Sequence, residues 1–308
     1  MNTLLLRLIL LLLLPAAALA APAKSTAKKT PAQTAPATKK SPKPAAPKPP
    51  PTGAREPYLG AIVVDAADGR VLFEENADAK GIPASVQKLM LLLTAMEQVQ
   101  AGTLTLQDAV PIHATAVSSE GADLKLKEGE SFTVEDMLYA CMMHSANDAA
   151  MALAEKLSGS QAAYVEHINC RAQELGMKNS RFVSASGLGL NNGAGPHDHT
   201  TARDVALLCR EVLKHPAALT FTAARKRVFR PEGEKDRRIL METHNYILDE
   251  VKGCDGLKTG YIRAAGYCIA GTALRKDRRI ITVILGATSE KSRNKLAGKL
   301  LEKGFATP

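Results

Sequence analysis

The chain of 308 residues has no apolar run long enough to cross a bilayer. Leu8–Leu14 is its longest candidate, and a spanning helix needs roughly 20 residues. It has no His-Glu-x-x-His pair, and His197-Asp198-His199 has no third ligand at metal-site spacing, so neither a zinc peptidase nor any other metal site is expected. It has no Gly-x-Ser-x-Gly elbow. Adjacent residues on a turn rarely face one another, so His144 beside Ser145 does not read as a serine-histidine pair. No internal repeat is evident, and no cofactor is expected.

The formal charge of +9 is concentrated at one end: seven lysines and Arg55 against Glu56 fall within residues 21–56. A nucleic-acid binder would carry a basic patch on a fold or a recognisable module, and neither is present. Residues 1–20 have the layout of a secretory signal, with Arg7, the Leu8–Leu14 run and small residues at Ala18-Leu19-Ala20. An exported, extracytoplasmic protein follows. Residues 21–56 are rich in Ala, Pro, Lys and Thr and read as an unpacked linker. This basic segment is a solvated spacer or a weak contact for anionic wall polymers or lipid. The remaining residues, 57–308, suffice for one large domain. Five cysteines in an exported chain leave at least one unpaired. Cys141, Cys170 and Cys209 fall in helical patterns, while Cys254 and Cys268 flank one hairpin and are the pair open to a disulfide.

Residues 58–65 and 70–74 are β-rich runs joined through Asp68-Gly69, a hairpin signal. Residues 84–99, opened by Pro83, predict a mostly buried helix, and 134–143, 148–157, 162–175 and 201–214 predict further helices. Three strands at 256–261, 266–274 and 279–286 and a helix at 289–303 close the chain. Strands at both ends and helices between them predict an α+β fold, one antiparallel sheet completed by both ends of the domain around an inserted helical cluster.

Three short motifs carry chemistry. Ser85-Val-Gln-Lys88 puts a hydroxyl and an amine at i and i+3, on one face of a helix. Such a lysine activates the serine when an apolar or cationic setting lowers its pKa. The pattern alone is cheap, since Ser25-Thr-Ala-Lys28 in the linker repeats it. Ser145-Ala-Asn147 falls between two helical patterns, where Ser and Asn serve either as caps or as a proton relay and a substrate-binding amide. Ser292-Arg-Asn294 repeats that spacing too. Lys258-Thr259-Gly260 lies on a strand, placing two polar side chains for a carboxylate and the Tyr261 backbone N–H for an oxyanion.

The order Ser-x-x-Lys, Ser-x-Asn, Lys-Thr-Gly resembles the signature of penicillin-binding proteins and serine β-lactamases. Within that group the chain resembles the low-molecular-mass D-alanyl-D-alanine carboxypeptidases of the S11 peptidase family. Further shared stretches are Asp68-Gly69 before Pro83-Ala84-Ser85, Asn147-Asp148-Ala149-Ala150, Ser186-Gly187-Leu188 and Ala265-Gly266-Tyr267. The resemblance implies a β-lactamase/transpeptidase-like fold and a peptidase acting on peptidoglycan stem peptides. It implies Ser85 as nucleophile, Lys88 as base, Ser145 and Asn147 in proton transfer and positioning, and Lys258, Thr259, Gly260 and Tyr261 in substrate binding. β-Lactam antibiotics would acylate the same serine. Ala146 departs from the glycine often found there, and the β-rich domain and amphipathic anchor of larger members are not expected.

Other readings are distinguished by specific features. Some short relatives cleave crosslinks, which makes an endopeptidase the alternative within the family. A β-lactamase would carry a water-activating glutamate, and Ser184–Leu188 has none. A non-catalytic wall-binding protein would have lost Ser85 or Lys88, and both are present.

Overall fold

The computed structural model describes residues 57–117, 121–230 and 237–308. The expected signal sequence (1–20) and linker (21–56) lie outside the described residues.

β1 (Gly60–Asp65) and β2 (Val71–Glu75) form the opening hairpin, with Val63 opposite Phe73. In its turn Asp68 Oδ1 accepts from the Arg70 amide at 2.8 Å, and Gly69 takes φ +80°. The next segment differs from expectation. A 3-10 turn over Ala84–Gln87 precedes α1 (Lys88–Gln100), in place of one continuous α-helix. Packing accounts for the tight turn. Gly187 and Gly260 approach the 83–86 backbone so closely that a Cβ on them would lie 2.2 Å from Ala84 O and 2.8 Å from Pro83 O, respectively. Beyond the turn, α1 is buried from Lys88 to Met96.

β3 (Ala109–Pro111), α2 (Ala114–Val117), β4 (Ser131–Thr133) and α3 (Val134–Tyr139) follow. Thr133 caps α3 by accepting from the Asp136 amide at 3.0 Å. The helix then widens into a π-turn over Ala140–His144 that stops at Ser145, whose φ of 62° is left-handed. α4 (Asn147–Ser158), α5 (Gln161–Glu174) and α6 (Ala202–Val212) lie within two residues of their expected bounds, and α7 (Ala218–Thr222) adds one turn. β5 (Lys226–Phe229) and β6 (Ile239–Glu242) pair as a small hairpin, followed by α8 (Ile247–Glu250). The β3–β4 and β5–β6 pairs had no sequence signal. Each strand is three or four residues long, and the two strand pairs meet through Phe132 and Phe229, with ring centroids 4.8 Å apart.

β7 (Cys254–Ile262), β8 (Gly266–Arg275) and β9 (Arg278–Ala287) join the opening hairpin in a five-stranded sheet of order β2-β1-β9-β8-β7. Because β1 pairs antiparallel with β9, the two ends of the domain close one sheet, and β7 becomes its edge. Strand alternation sends Ile62, Val64, Ile281 and Val283 into the core shared with the helical cluster. Ala61, Val63, Ile280 and Ile284 pack on the opposite face against Ala297, Leu300 and Leu301 of α9 (Glu290–Ala306). Both faces are covered, so β1 is buried at every position and its sequence is apolar up to Val64. Each fully buried aliphatic side chain contributes about 1.5–3 kcal/mol.

The five cysteines are free thiols. Cys254 opposes Ala273 at the open end of the β7–β8 hairpin and Cys268 opposes Gly260 near its tip, so the disulfide considered for them has no geometry to form.

Candidate active site

The 3-10 turn, the π-turn and the edge strand β7 each deliver one motif to a common cleft of about 600 Å³. Ser85, Ser145, Asn147, Thr259, Gly260 and Tyr261 all line it. The fully buried Lys88 ammonium donates to Ser85 Oγ at 3.0 Å, Asn147 Oδ1 at 2.8 Å and the Ser186 carbonyl at 2.7 Å. Burial pulls its pKa from the ordinary lysine value down to about 8. A neutral amine there would keep two donors for Asn147 and Ser186 and turn its lone pair to the Ser85 hydroxyl.

A second serine-lysine pair faces the first. Lys258 donates to Ser145 Oγ at 3.1 Å and to the Thr259 carbonyl at 2.9 Å. Burial first, and the charge of Lys88 second, push its pKa well below the usual range. The left-handed Ser145 ends the π-turn, which turns its hydroxyl to Lys258. Ala146 has φ −53°. The glycine common at that position is not needed for the conformation seen here.

Alternation along β7 puts Lys258 and Gly260 on the side of the helical cluster. Gly260 is required there, because a Cβ would lie 2.9 Å from both Ser85 N and Val86 N. That close approach brings the Ser85 and Tyr261 backbones into one wall of the cleft.

Several residues that shape the site lie outside the three motifs. The 184–188 loop supplies the Ser186 carbonyl to Lys88, and Gln87 Nε2 donates to the Ser184 carbonyl. Buried Asp198 anchors that loop by accepting from Val183 N at 2.7 Å, Ser184 N at 3.0 Å and Ser184 Oγ at 2.8 Å. Asp148 does the same for the opposite wall, accepting from Leu124 N at 2.9 Å and Leu126 N at 3.2 Å. Burial raises its pKa despite these bonds.

His244, Glu290 and Arg293 also line the cleft. Burial, reinforced by Lys258, lowers His244 to about 4, leaving a neutral imidazole. Arg293 belongs to the Ser292-Arg-Asn294 stretch that looked like a chance repeat of the middle motif. Its guanidinium donates to Asn294 Oδ1 at 2.9 Å and Glu290 Oε1 at 3.2 Å.

The histidines singled out in the sequence, His144, His197 and His199, make other contacts. The ring of His144 lies 5.8 Å from that of His244, and Ser145 is bonded to Lys258 instead. His197 Nδ1 contacts the Leu188 carbonyl at 3.2 Å, and His199 pairs with Arg181 in a β-bridge. Among the described residues no group of three or more His, Cys, Asp or Glu side chains is placed to hold a metal ion.

Two serine-lysine pairs with buried lysines, meeting at the edge of an antiparallel sheet beside a helical cluster, define a protein of the penicillin-binding, β-lactamase/transpeptidase-like group. The chain belongs to the S11 peptidase family: residues 54–289 match its profile, described as D-alanyl-D-alanine carboxypeptidase. It is 32% identical over 246 residues to the D-alanyl-D-alanine carboxypeptidase DacF of Bacillus subtilis, covering 80% of this chain and 61% of that protein. The chain spans about three fifths of the length of the first curated relatives it matches. Among solved structures it is similar to DacD of Francisella tularensis, with TM-score 0.75 and 26% identity over 85% of this chain and 74% of that one. It is also similar to ampicillin-bound penicillin-binding protein D2 of Listeria monocytogenes, with TM-score 0.71 and 32% identity over 83% of this chain and all of that one.

Proposed function

We propose that this chain is a serine-type D-alanyl-D-alanine carboxypeptidase that removes the terminal D-alanine of peptidoglycan stem peptides through an acyl-enzyme on Ser85. The observation that carries the reading is the Lys88 amine, fully buried, brought to about 8 and held 3.0 Å from the Ser85 hydroxyl. At neutral pH about a tenth of such amines are unprotonated, enough to act as a general base.

Ser85 Oγ attacks the carbonyl between the two D-alanines while Lys88 takes its proton. The backbone N–H groups of Ser85 and Tyr261 receive the oxyanion. Ser145, bonded to Lys258, relays a proton to the leaving amine, and Asn147 orients the substrate backbone. Lys258, Thr259 and the charged Arg293 receive the terminal carboxylate. Water then attacks the ester, with its proton returning through Lys88, and frees Ser85. A β-lactam meets the same serine and remains attached to it.

The enzyme works outside the cytoplasm, on the wall, to which residues 1–56 deliver and tether it. Among the described residues no helix is long and apolar enough to cross a membrane.

The test is incubation of the full chain with a pentapeptide ending in D-alanyl-D-alanine and, separately, with a crosslinked muropeptide dimer, followed by mass spectrometry. Release of free D-alanine, abolished in Ser85→Ala, supports the carboxypeptidase. Cleavage of the dimer alone moves the assignment to endopeptidase, and inactivity on both returns the chain to wall binding without turnover.

A further inference from the structure

A second cavity, of about 420 Å³, adjoins the cleft and shares Tyr261, Arg263 and Tyr267 with it. Tyr261 and Tyr267 are cross-strand partners on β7 and β8, with ring centroids 4.3 Å apart and planes tilted 30°. Tyr261 is nonetheless 52% exposed, so the pair forms a fixed aromatic shelf open to solvent. Beyond it the walls are small residues, among them Ala264, Gly266 and Gly286, which leave the space unfilled. Arg263 is exposed at the junction of the two cavities and has no ion-pair or hydrogen-bond partner among the described residues. Arg293, which also lines the cleft, has Glu290 as an ion-pair partner at 3.2 Å.

The direction of β7 tells which part of a substrate reaches this cavity. As the edge strand, β7 can receive an extended peptide as an added strand. If the substrate's terminal carboxylate is at Lys258 and Thr259 and the scissile carbonyl is at Tyr261, its preceding residues run toward Ile262 and Arg263, at about 3.3 Å per residue. Resting on the peptidase reading above, we propose that the cavity beyond the Tyr261–Tyr267 shelf is a subsite for the residues on the amino side of the D-alanyl pair, with Arg263 pairing with a side-chain carboxylate there. The enzyme then selects long, acidic stem peptides over short or amidated ones.

The experiment compares kcat/KM for D-alanine release by the full chain from three substrates: an acylated tripeptide, a pentapeptide with a carboxylate on its third residue, and the same pentapeptide with that carboxylate amidated. Each ratio is taken within one protein preparation, so a change in folded fraction cancels. The unaltered enzyme is expected to favour the acidic over the amidated pentapeptide by about tenfold, one charge-assisted contact. Arg263→Gln brings that ratio close to one, and Ala264→Trp, which fills the cavity, lowers the pentapeptide-to-tripeptide ratio by about tenfold. Ratios unchanged in both variants overturn the subsite. If no substrate yields D-alanine the peptidase reading falls separately, and the subsite is judged by affinities of the same peptides for Ser85→Ala with and without Arg263→Gln. A preference for the acidic peptide that this second change abolishes supports the subsite; equal affinities overturn it.

Discussion

Lys258 donates to Ser145 Oγ at 3.1 Å across 113 residues of chain, and both groups are buried. The bond joins the edge of the sheet to the end of the π-turn, so the middle and last motifs hold one another in place. Lys88 makes the corresponding link between the first motif and Asn147 at 2.8 Å. Four expectations follow from this arrangement.

Lys88→Ala removes the amine that faces Ser85. General-base assistance contributes about 10²- to 10⁴-fold, so acylation by a fluorescent penicillin is expected to slow by at least about 10²-fold. Stopped-flow labelling measures this directly. An acylation rate within a factor of about three of the unaltered enzyme rules out Lys88 as the base.

The pH profile has a definite sign. Lys88 must be neutral to accept a proton and its pKa is about 8, so acylation rises about tenfold per unit below that value and levels off above it. Labelling rates from about pH 5 to about pH 10 test this. A profile flat below the inflection assigns the base elsewhere.

Gly260→Ala places a methyl group 2.8–2.9 Å from backbone atoms of Pro83, Ser85 and Val86. Backbone cannot yield as a flexible side chain would, so β7 must move away from Ser85. A displacement of about 1 Å at a reacting centre costs on the order of 100-fold in rate. Slow acylation with a cooperative melt retained is the expected pair of results.

Asp148→Asn keeps the size of the side chain but leaves one carboxylate oxygen fewer for the amides of Leu124, Leu126 and Ala149. Leaving a buried amide unsatisfied costs about 1–3 kcal/mol. A lowered melting temperature is expected, with a slower reaction because Ala122, whose carbonyl accepts from Asn147 N at 2.8 Å, loses its support. Unchanged melting would show that the 122–126 segment does not depend on the charge.

Much of the fold was legible because the signals are local. The Asp68-Gly69 turn, the period of α4 to α6 and the apolar runs of β8 and β9 are set by neighbours in the chain. The 3-10 turn under Ser85 was not, since it answers to Gly187 and Gly260, far along the sequence. The β5–β6 hairpin depends on Phe229 meeting Phe132. Asp198 and Arg293 carry no pattern that separates a buried anchor or a cleft-lining guanidinium from an ordinary charged residue.

The sequence by itself determined which groups are available to the cleft: the hydroxyl and amine spacing of Ser85 and Lys88, the polar pair of Ser145 and Asn147, and the strand that bears Lys258 and Thr259. Only the tertiary structure decided how they are set against one another. The lowered pKa of Lys88 comes from complete burial, its orientation from the Ser186 carbonyl and Asn147, and the meeting of the two serine-lysine pairs from closure of the sheet by both ends of the domain. Desolvation and long-range contact depend on which distant segments pack together, and no local pattern of residues records that.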